Sequence, residues 1–121
     1  MALYIDENAD ITLTQGDSGE ITISGLNANE NAKVYFAIQT LKRNPIGNEL
    51  MVQSNFNESV IFILTADYTD LLEVPANREF EIYQYGIKIC TDTSEQTVMI
   101  ANNDYGQVNR LIVYPKKVEG V

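Results

Sequence analysis

The stretch DITLTQGDSGEITISG, residues 10–25, indicates the fold most directly. Ile11 and Leu13, and then Ile21 and Ile23, alternate with threonine or serine residues. An alternation with a period of two is typical of a β-strand that buries one face. The residues between the two runs, 15–19, include two glycines, an aspartate and a serine, which favour turns. The stretch therefore predicts a β-hairpin or a corner at which the chain passes from one sheet to another.

The rest of the chain carries further strand patterns, separated by turn residues at regular spacing. The segment KVYFAIQTL alternates clearly, and SVIFIL is apolar at both phases, which favours a central strand buried between layers. A loop is predicted at Lys42–Asn48, because Pro45 cannot donate a hydrogen bond to a strand ladder. The predicted strand segments are 33–41, 49–54, 58–64, 79–92, 96–101 and 109–115.

The segment TADYTDLLEVPANREF, residues 65–80, is the one helix candidate and can form one or two turns at most. Thr65 could cap its first turn, Leu71 and Leu72 would face inward, and Pro75 would end it. Strands and helices do not alternate as they do in a parallel α/β fold. The sequence therefore predicts one domain over residues 1–121, an all-β, antiparallel β-sandwich (immunoglobulin-like or barrel-like) of about seven to nine strands with at most one short helical turn.

The phase of each strand pattern also predicts a core. The residues expected to point inward are Ile11, Leu13, Ile21, Ile23, Val34, Phe36, Ile38, Ile61, Ile63, Ile87 and Ile89.

Composition and charge restrict the partners. The chain has 121 residues and a formal net charge of −9. Its basic pairs, Lys42–Arg43 and Lys116–Lys117, form no stripe that could attract a phosphate backbone, so we expect no nucleic-acid partner. Apolar runs are too short to cross a bilayer, so we expect no membrane partner. The first ten residues are acidic where a secretion signal is basic, so we expect no signal peptide and synthesis in a cytoplasm.

The side chains that most often carry catalysis and metal binding are scarce. The chain has no histidine and one cysteine, Cys90, which is expected to be a small apolar filler in a strand. Ser-His-Asp and Cys-His catalysis both need a histidine, and structural zinc needs about four Cys or His ligands. We therefore predict no enzyme activity, no catalytic residues, no cofactor and no metal site.

Two weaker alternatives remain open. The carboxylates of Asp67, Asp70 and Glu73, or those of Asp6, Glu7 and Asp10, could supply oxygen ligands to calcium, although neither set matches a known motif and solvated acidic turns explain them more simply. The aromatic side chains of Tyr83, Tyr85, Tyr105 and Tyr114 could form a surface that stacks on sugars or binds protein. The ordinary interpretation is that they occupy a sheet face.

In their order along the chain, five segments resemble small β-sandwich domains of tailed-bacteriophage virions, in particular the amino-terminal domains of baseplate upper proteins and related tail proteins. The shared features are an opening hairpin with Gly-Asp, a strand that ends in an apolar residue and threonine, a short turn before a Tyr-rich strand, and a final Val-containing strand. The segments are Ile11–Leu26, Val34–Gln39, Val60–Leu72, Glu79–Asp92 and Leu111–Gly120.

The resemblance implies a non-enzymatic structural component of a tailed-phage virion, a baseplate or tail assembly protein that acts through protein–protein docking. Its partners would be other virion structural proteins and copies of itself in a symmetric assembly, and it would be assembled in the bacterial host cytoplasm. A capsid decoration protein is one alternative. A carbohydrate-binding or adhesin module is another, and a small calcium-dependent hydrolase is a weaker third.

The predicted assembly contacts lie at the two ends of the sequence and in the loop at residues 42–48. These segments carry apolar residues that no alternating strand claims, together with the two basic pairs, which could orient the protein on acidic neighbours. The predicted interface residues are Leu3, Ile5, Lys42, Arg43, Ile46, Lys116, Lys117 and Val118.

Overall fold

The computed structural model describes residues 3–5, 10–92, 95–98 and 109–116. In these ranges the chain forms nine strands and one helix. The elements are β1 (Tyr4–Ile5), β2 (Ile11–Thr14), β3 (Gly19–Ser24), β4 (Lys33–Gln39), β5 (Pro45–Gln53), β6 (Ser59–Leu64), α1 (Ala66–Thr69), β7 (Glu81–Cys90), β8 (Glu95–Val98) and β9 (Arg110–Tyr114).

The strands form two sheets, and the predicted β-sandwich is confirmed. The larger sheet has the order β1-β2-β9-β7-β4-β5, with β8 also paired to β7, and the smaller sheet is formed by β3 and β6. Every pair is antiparallel except β2 and β9, which run parallel with Ile11 opposite Leu111. This parallel pair joins strands that most of the sequence separates, so no local turn signal could have predicted it.

The stretch at residues 10–25 is a sheet corner, because β2 belongs to the larger sheet and β3 to the smaller one. Gly16 turns the chain with a φ of 84°, in the region that favours glycine. The Asp17 N–H donates to the Thr14 carbonyl (3.1 Å). The hydroxyl of Thr69 in α1 donates to the Asp17 carbonyl (2.8 Å), which ties the helix to the corner.

The core lies between the two sheets. Phe36 on β4 is fully buried, and its ring centroid lies 5.7 Å from that of Phe62 on β6 and 5.5 Å from that of Tyr85 on β7. Seven of the predicted core residues are buried, while Ile23 and Ile89 are partly buried against the core. The seven are Ile11, Leu13, Ile21, Val34, Phe36, Ile38 and Ile87.

The predicted inward direction of Ile61 and Ile63 is wrong. On β6 the buried residues are Val60, Phe62 and Leu64, so the two isoleucines point outward. The expectation that β6 is covered on both faces is also wrong, because β6 lies in a two-stranded sheet with only one face against the core. Since every residue of the VIFIL run is apolar, the pattern alone did not distinguish its two phases.

The predicted short helix is confirmed as a single turn of four residues. Thr65 caps it as expected, because its Oγ1 accepts a hydrogen bond from the Tyr68 N–H (3.2 Å). Leu72 is fully buried as predicted, whereas Leu71 is 50% exposed, so the inward direction predicted for Leu71 is wrong. No helix in the described ranges has the length and apolar character of a membrane span.

The predicted loop at Lys42–Asn48 is shorter than expected, because β5 already begins at Pro45. Pro45 is tolerated there because β5 lies at the edge of the larger sheet as described, pairing with β4 alone. Ile38 faces Ile46 and Phe36 faces Leu50, so residues 47–49 of β5 bulge out opposite Ala37 alone. This bulge was not predicted from the sequence.

Candidate docking surface

The outward face of the β3–β6 sheet carries two exposed isoleucines. Ile61 is 48% exposed and Ile63 is 62% exposed, although both lie in a regular strand whose other face is fully buried. Their cross-strand partners on β3 are Thr22 and Glu20. We call Ile61 and Ile63 the β6 apolar face. Pairing with β3 fixes the backbone at Ile61 and Ile63 before any partner binds.

Burial of this face would contribute useful binding free energy. Covering a whole isoleucine side chain contributes about 1.5 to 3 kcal/mol, so covering the exposed parts of both would contribute about 2 kcal/mol. Glu20 lies opposite Ile63 and is exposed. The Glu20 carboxylate therefore adds a negative charge beside Ile63.

An exposed aromatic residue, Phe56, lies in the turn just before β6. Asn55 and Phe56 have φ angles of 50° and 62°, and the Asn57 N–H donates to the Ser54 carbonyl (2.9 Å). A bulky residue in this left-handed region costs about 1–2 kcal/mol. Phe56 is nevertheless 57% exposed. Three large exposed apolar side chains therefore come from the short segment 55–64.

Two of the apolar residues predicted for the interface pack against the core of the chain. Leu3 packs against the core, and a Cβ placed on Gly19 would lie 2.7 Å from the Leu3 Cβ. Ile46 belongs to β5 and also packs against the core. The expectation that Leu3 and Ile46 lie outside the strands and the core is therefore wrong.

The basic residues predicted for the interface divide into two groups. Lys116 pairs with Asp70 near α1, with Nζ and Oδ1 2.6 Å apart. Lys42 and Arg43 lie in an exposed turn, in which the Arg43 N–H donates to the Thr40 carbonyl (2.9 Å). Ile5 lies in β1, and its side chain, like Lys117 and Val118, is outside the described part of the structure. That the predicted interface residues contact neighbouring proteins in an assembly remains a prediction.

The alternative sugar-stacking surface is wrong for two of its four tyrosines. Tyr83 and Tyr85 are each only 6% exposed, because they point into the core from β7. Tyr114 packs on Phe80, with ring centroids 5.8 Å apart, and Tyr105 lies outside the described residues.

The carboxylates considered for calcium do not converge where the structure describes them. In the described ranges, no three His, Cys, Asp or Glu side chains come close enough to hold a metal ion. Asp10 instead pairs with Arg110 through both of its carboxylate oxygens, which joins the start of β2 to β9. Asp6 and Glu7 lie outside the described residues.

Two tyrosine hydroxyls have shifted pKa values for structural reasons. The Tyr83 hydroxyl donates to the Glu73 carbonyl (2.6 Å), and its pKa is raised by burial and by the nearby carboxylates of Glu81 and Glu73. Burial also raises the pKa of Tyr68. The Tyr68 hydroxyl is buried with no hydrogen-bond partner among the described residues.

Comparisons with known proteins support the fold. No family model matches the sequence, and no curated protein matches it. Among solved structures, the chain is similar to the periplasmic chaperone SfaE, with a TM-score of 0.57 and 6% sequence identity. The similarity covers 98% of this chain and 55% of the chaperone chain, so this protein spans about half the length of that structure. At this identity the likeness shows the β-sandwich fold alone.

The β6 apolar face was missed because its residues had been assigned to the core. One signal was available in the sequence. Glu20 and Thr22 are polar at the outward positions of β3, as expected for a sheet with a solvated face. Pairing β3 with β6 in the observed register would have placed Ile61 and Ile63 on that same face.

Proposed function

We propose that this protein is a non-enzymatic structural component of a tailed-bacteriophage virion, a baseplate or tail assembly protein that docks onto other virion proteins. The observation that carries the docking role is the β6 apolar face, where Ile61 and Ile63 remain exposed in a regular strand. The position in a virion rests on the resemblance of the five sequence segments to tail-protein β-sandwich domains.

The arrangement of the surface supports docking. An apolar pair on a sheet face requires little ordering when it binds, because the strand already holds it in place. The contribution of about 2 kcal/mol from two isoleucines is small for a single contact. Repetition of the contact in a symmetric particle multiplies such a contribution through avidity. The net charge of −9 favours solubility before assembly.

The first experiment tests the location. Tailed particles of the phage or prophage that encodes the chain are purified, and the protein is quantified by mass spectrometry relative to the major tail and capsid proteins. We expect a constant, integral copy number per particle that survives repeated density-gradient purification. A protein that is abundant in the lysate but missing from purified particles would contradict the proposal.

The second experiment tests the surface. The double variant Ile61→Thr/Ile63→Thr keeps β-branched side chains in β6 and removes the apolar contact. We expect it to fold with a melting temperature close to that of the wild type and to be lost from particles. The matched control is Met51→Thr, because Met51 is a 49% exposed apolar residue in a strand of the other sheet. Normal incorporation of the double variant, or equal loss of the control, would refute docking through β6.

A further inference from the structure

The outward face of the larger sheet contains a trough above β4 and β7. The floor is formed by Ala37 and Gly86, which face each other in the ladder. Among the described residues, a Cβ added at Gly86 would meet no atom within 4 Å, so no described side chain fills the space above the floor. On the β5 side the trough is lined by Pro45 and by Glu49, which belongs to the β5 bulge. Together these features form an open cavity of about 310 Å³, which is at the lower end of the range for small-molecule sites.

The trough has a polar rim with one aromatic wall. Gln39 lines the cavity. It faces Gln84 on the neighbouring strand, and the Gln39 Nε2 donates to the Gln84 Oε1 (2.9 Å). This contact leaves the Gln39 Oε1 and the Gln84 Nε2 with capacity for further hydrogen bonds. Glu49 contributes a carboxylate, and Tyr35 contributes a partly buried ring.

A second cavity of about 290 Å³ lies beyond Tyr35 on the same sheet and shares the Tyr35 side chain as a wall. It is lined by Lys33, Gln53 and Asp92. Two cavities on either side of one aromatic ring suit an elongated ligand whose repeating units each carry an apolar face and polar edges.

The charges around the trough argue against an anionic ligand. The Lys88 Nζ lies 3.4 Å from the Glu95 Oε2, so its charge is already paired. Glu49 and Asp92 add negative charge, and Lys33 adds one positive charge. A phosphate or sulfate group would therefore find no excess positive charge here, whereas uncharged hydroxyl groups can use both the amides and the carboxylates.

We propose that this trough binds a neutral oligosaccharide, with one sugar unit in each cavity and Tyr35 between them. The sugar class agrees with the carbohydrate-binding alternative raised by the sequence, but the tyrosine that carries it is Tyr35 and not the buried Tyr83 or Tyr85. The site lies on the opposite sheet from the β6 apolar face, so it does not depend on the docking role. In a particle with many copies, weak binding at each trough would add up through avidity.

The test is an NMR titration of the isotope-labelled full chain with three neutral probes: cellotetraose, maltotetraose and chitotetraose. We expect saturable chemical-shift changes with at least one probe, concentrated at Tyr35, Gly86 and the side-chain amides of Gln39 and Gln84. An anionic probe, tetragalacturonate, and a blocked neutral tetrapeptide should bind at least about tenfold more weakly.

Two variants and a control connect the binding to the trough. Tyr35→Ala removes the shared wall, and Gly86→Val fills the open space over the floor with a residue that suits a strand. We expect each to weaken binding at least about tenfold. The control, Tyr114→Ala, removes a partly exposed tyrosine from a different strand and should leave the affinity unchanged.

Several results would overturn the proposal. These are the absence of saturable shifts with all three neutral probes, preferential binding of tetragalacturonate or the tetrapeptide, and unchanged affinity in both folded trough variants. If Tyr35→Ala fails to fold, Gly86→Val alone decides the outcome, because its Cβ meets no atom of the described residues within 4 Å.

Discussion

The same chemical change, tyrosine to phenylalanine, should have opposite effects on stability at positions 68 and 83. The Tyr68 hydroxyl is buried and has no hydrogen-bond partner among the described residues. A buried polar group without a partner costs about 1–3 kcal/mol. Removing it in Tyr68→Phe should therefore raise the free energy of unfolding by about 1 kcal/mol. For a domain of this size, that gain corresponds to about 4 °C in melting temperature.

Tyr83→Phe is the matched comparison. The Tyr83 hydroxyl donates to the Glu73 carbonyl over 2.6 Å, so its removal leaves that carbonyl without this donor. We expect a loss of about 1 kcal/mol. Both variants are measured by urea unfolding, followed by far-ultraviolet circular dichroism. Destabilisation by Tyr68→Phe, or a shift in the same direction for both variants, would refute the argument that hydrogen-bond satisfaction separates the two sites.

Three further predictions follow from the core, a turn and the titrating groups. Phe36→Ala should lower the free energy of unfolding by about 3–5 kcal/mol, because it leaves a cavity between the sheets; a loss below about 1 kcal/mol in urea unfolding would contradict this. Gly47→Ala should destabilise by about 1–2 kcal/mol, because Gly47 has a φ of 66° and the new Cβ would lie 3.3 Å from the Tyr68 Cε1. The control Gly86→Ala should stay within about 0.5 kcal/mol of wild type, and equal effects of the two would count against the argument. The pKa values of Tyr68 and Tyr83 are raised from 10.0 in the folded protein. The contribution of these shifts to the free energy of unfolding is therefore complete below pH 10 and is lost as the pH rises through the folded pKa values. Melting temperatures measured against pH should therefore fall above pH 10, and less steeply in the double phenylalanine variant; identical profiles would oppose this assignment.

Local patterns in the sequence were sufficient to predict the fold class and much of the core. Val34, Phe36 and Ile38 alternate with Tyr35 and Ala37, so only one phase of β4 could be buried, and the structure confirms it. Thr65 was recognised as a helix cap because capping depends on a side chain and a backbone group only three residues apart. Such predictions succeed because the interactions that decide them lie within one element.

The candidate sites depended on contacts that no single element determines. Every residue of VIFIL is apolar, so only the pairing of β6 with β3 and the packing of Phe62 on Phe36 decided that Ile61 and Ile63 face solvent. The trough also depends on contacts between distant parts of the sequence. Gly86 on β7 faces Ala37 on the neighbouring strand β4, and the bulge belongs to a third strand, β5. Sequence alone therefore determined which residues can form buried strands, while tertiary pairing decided which faces remain exposed, since the exposure of a side chain depends on what the rest of the chain packs against it.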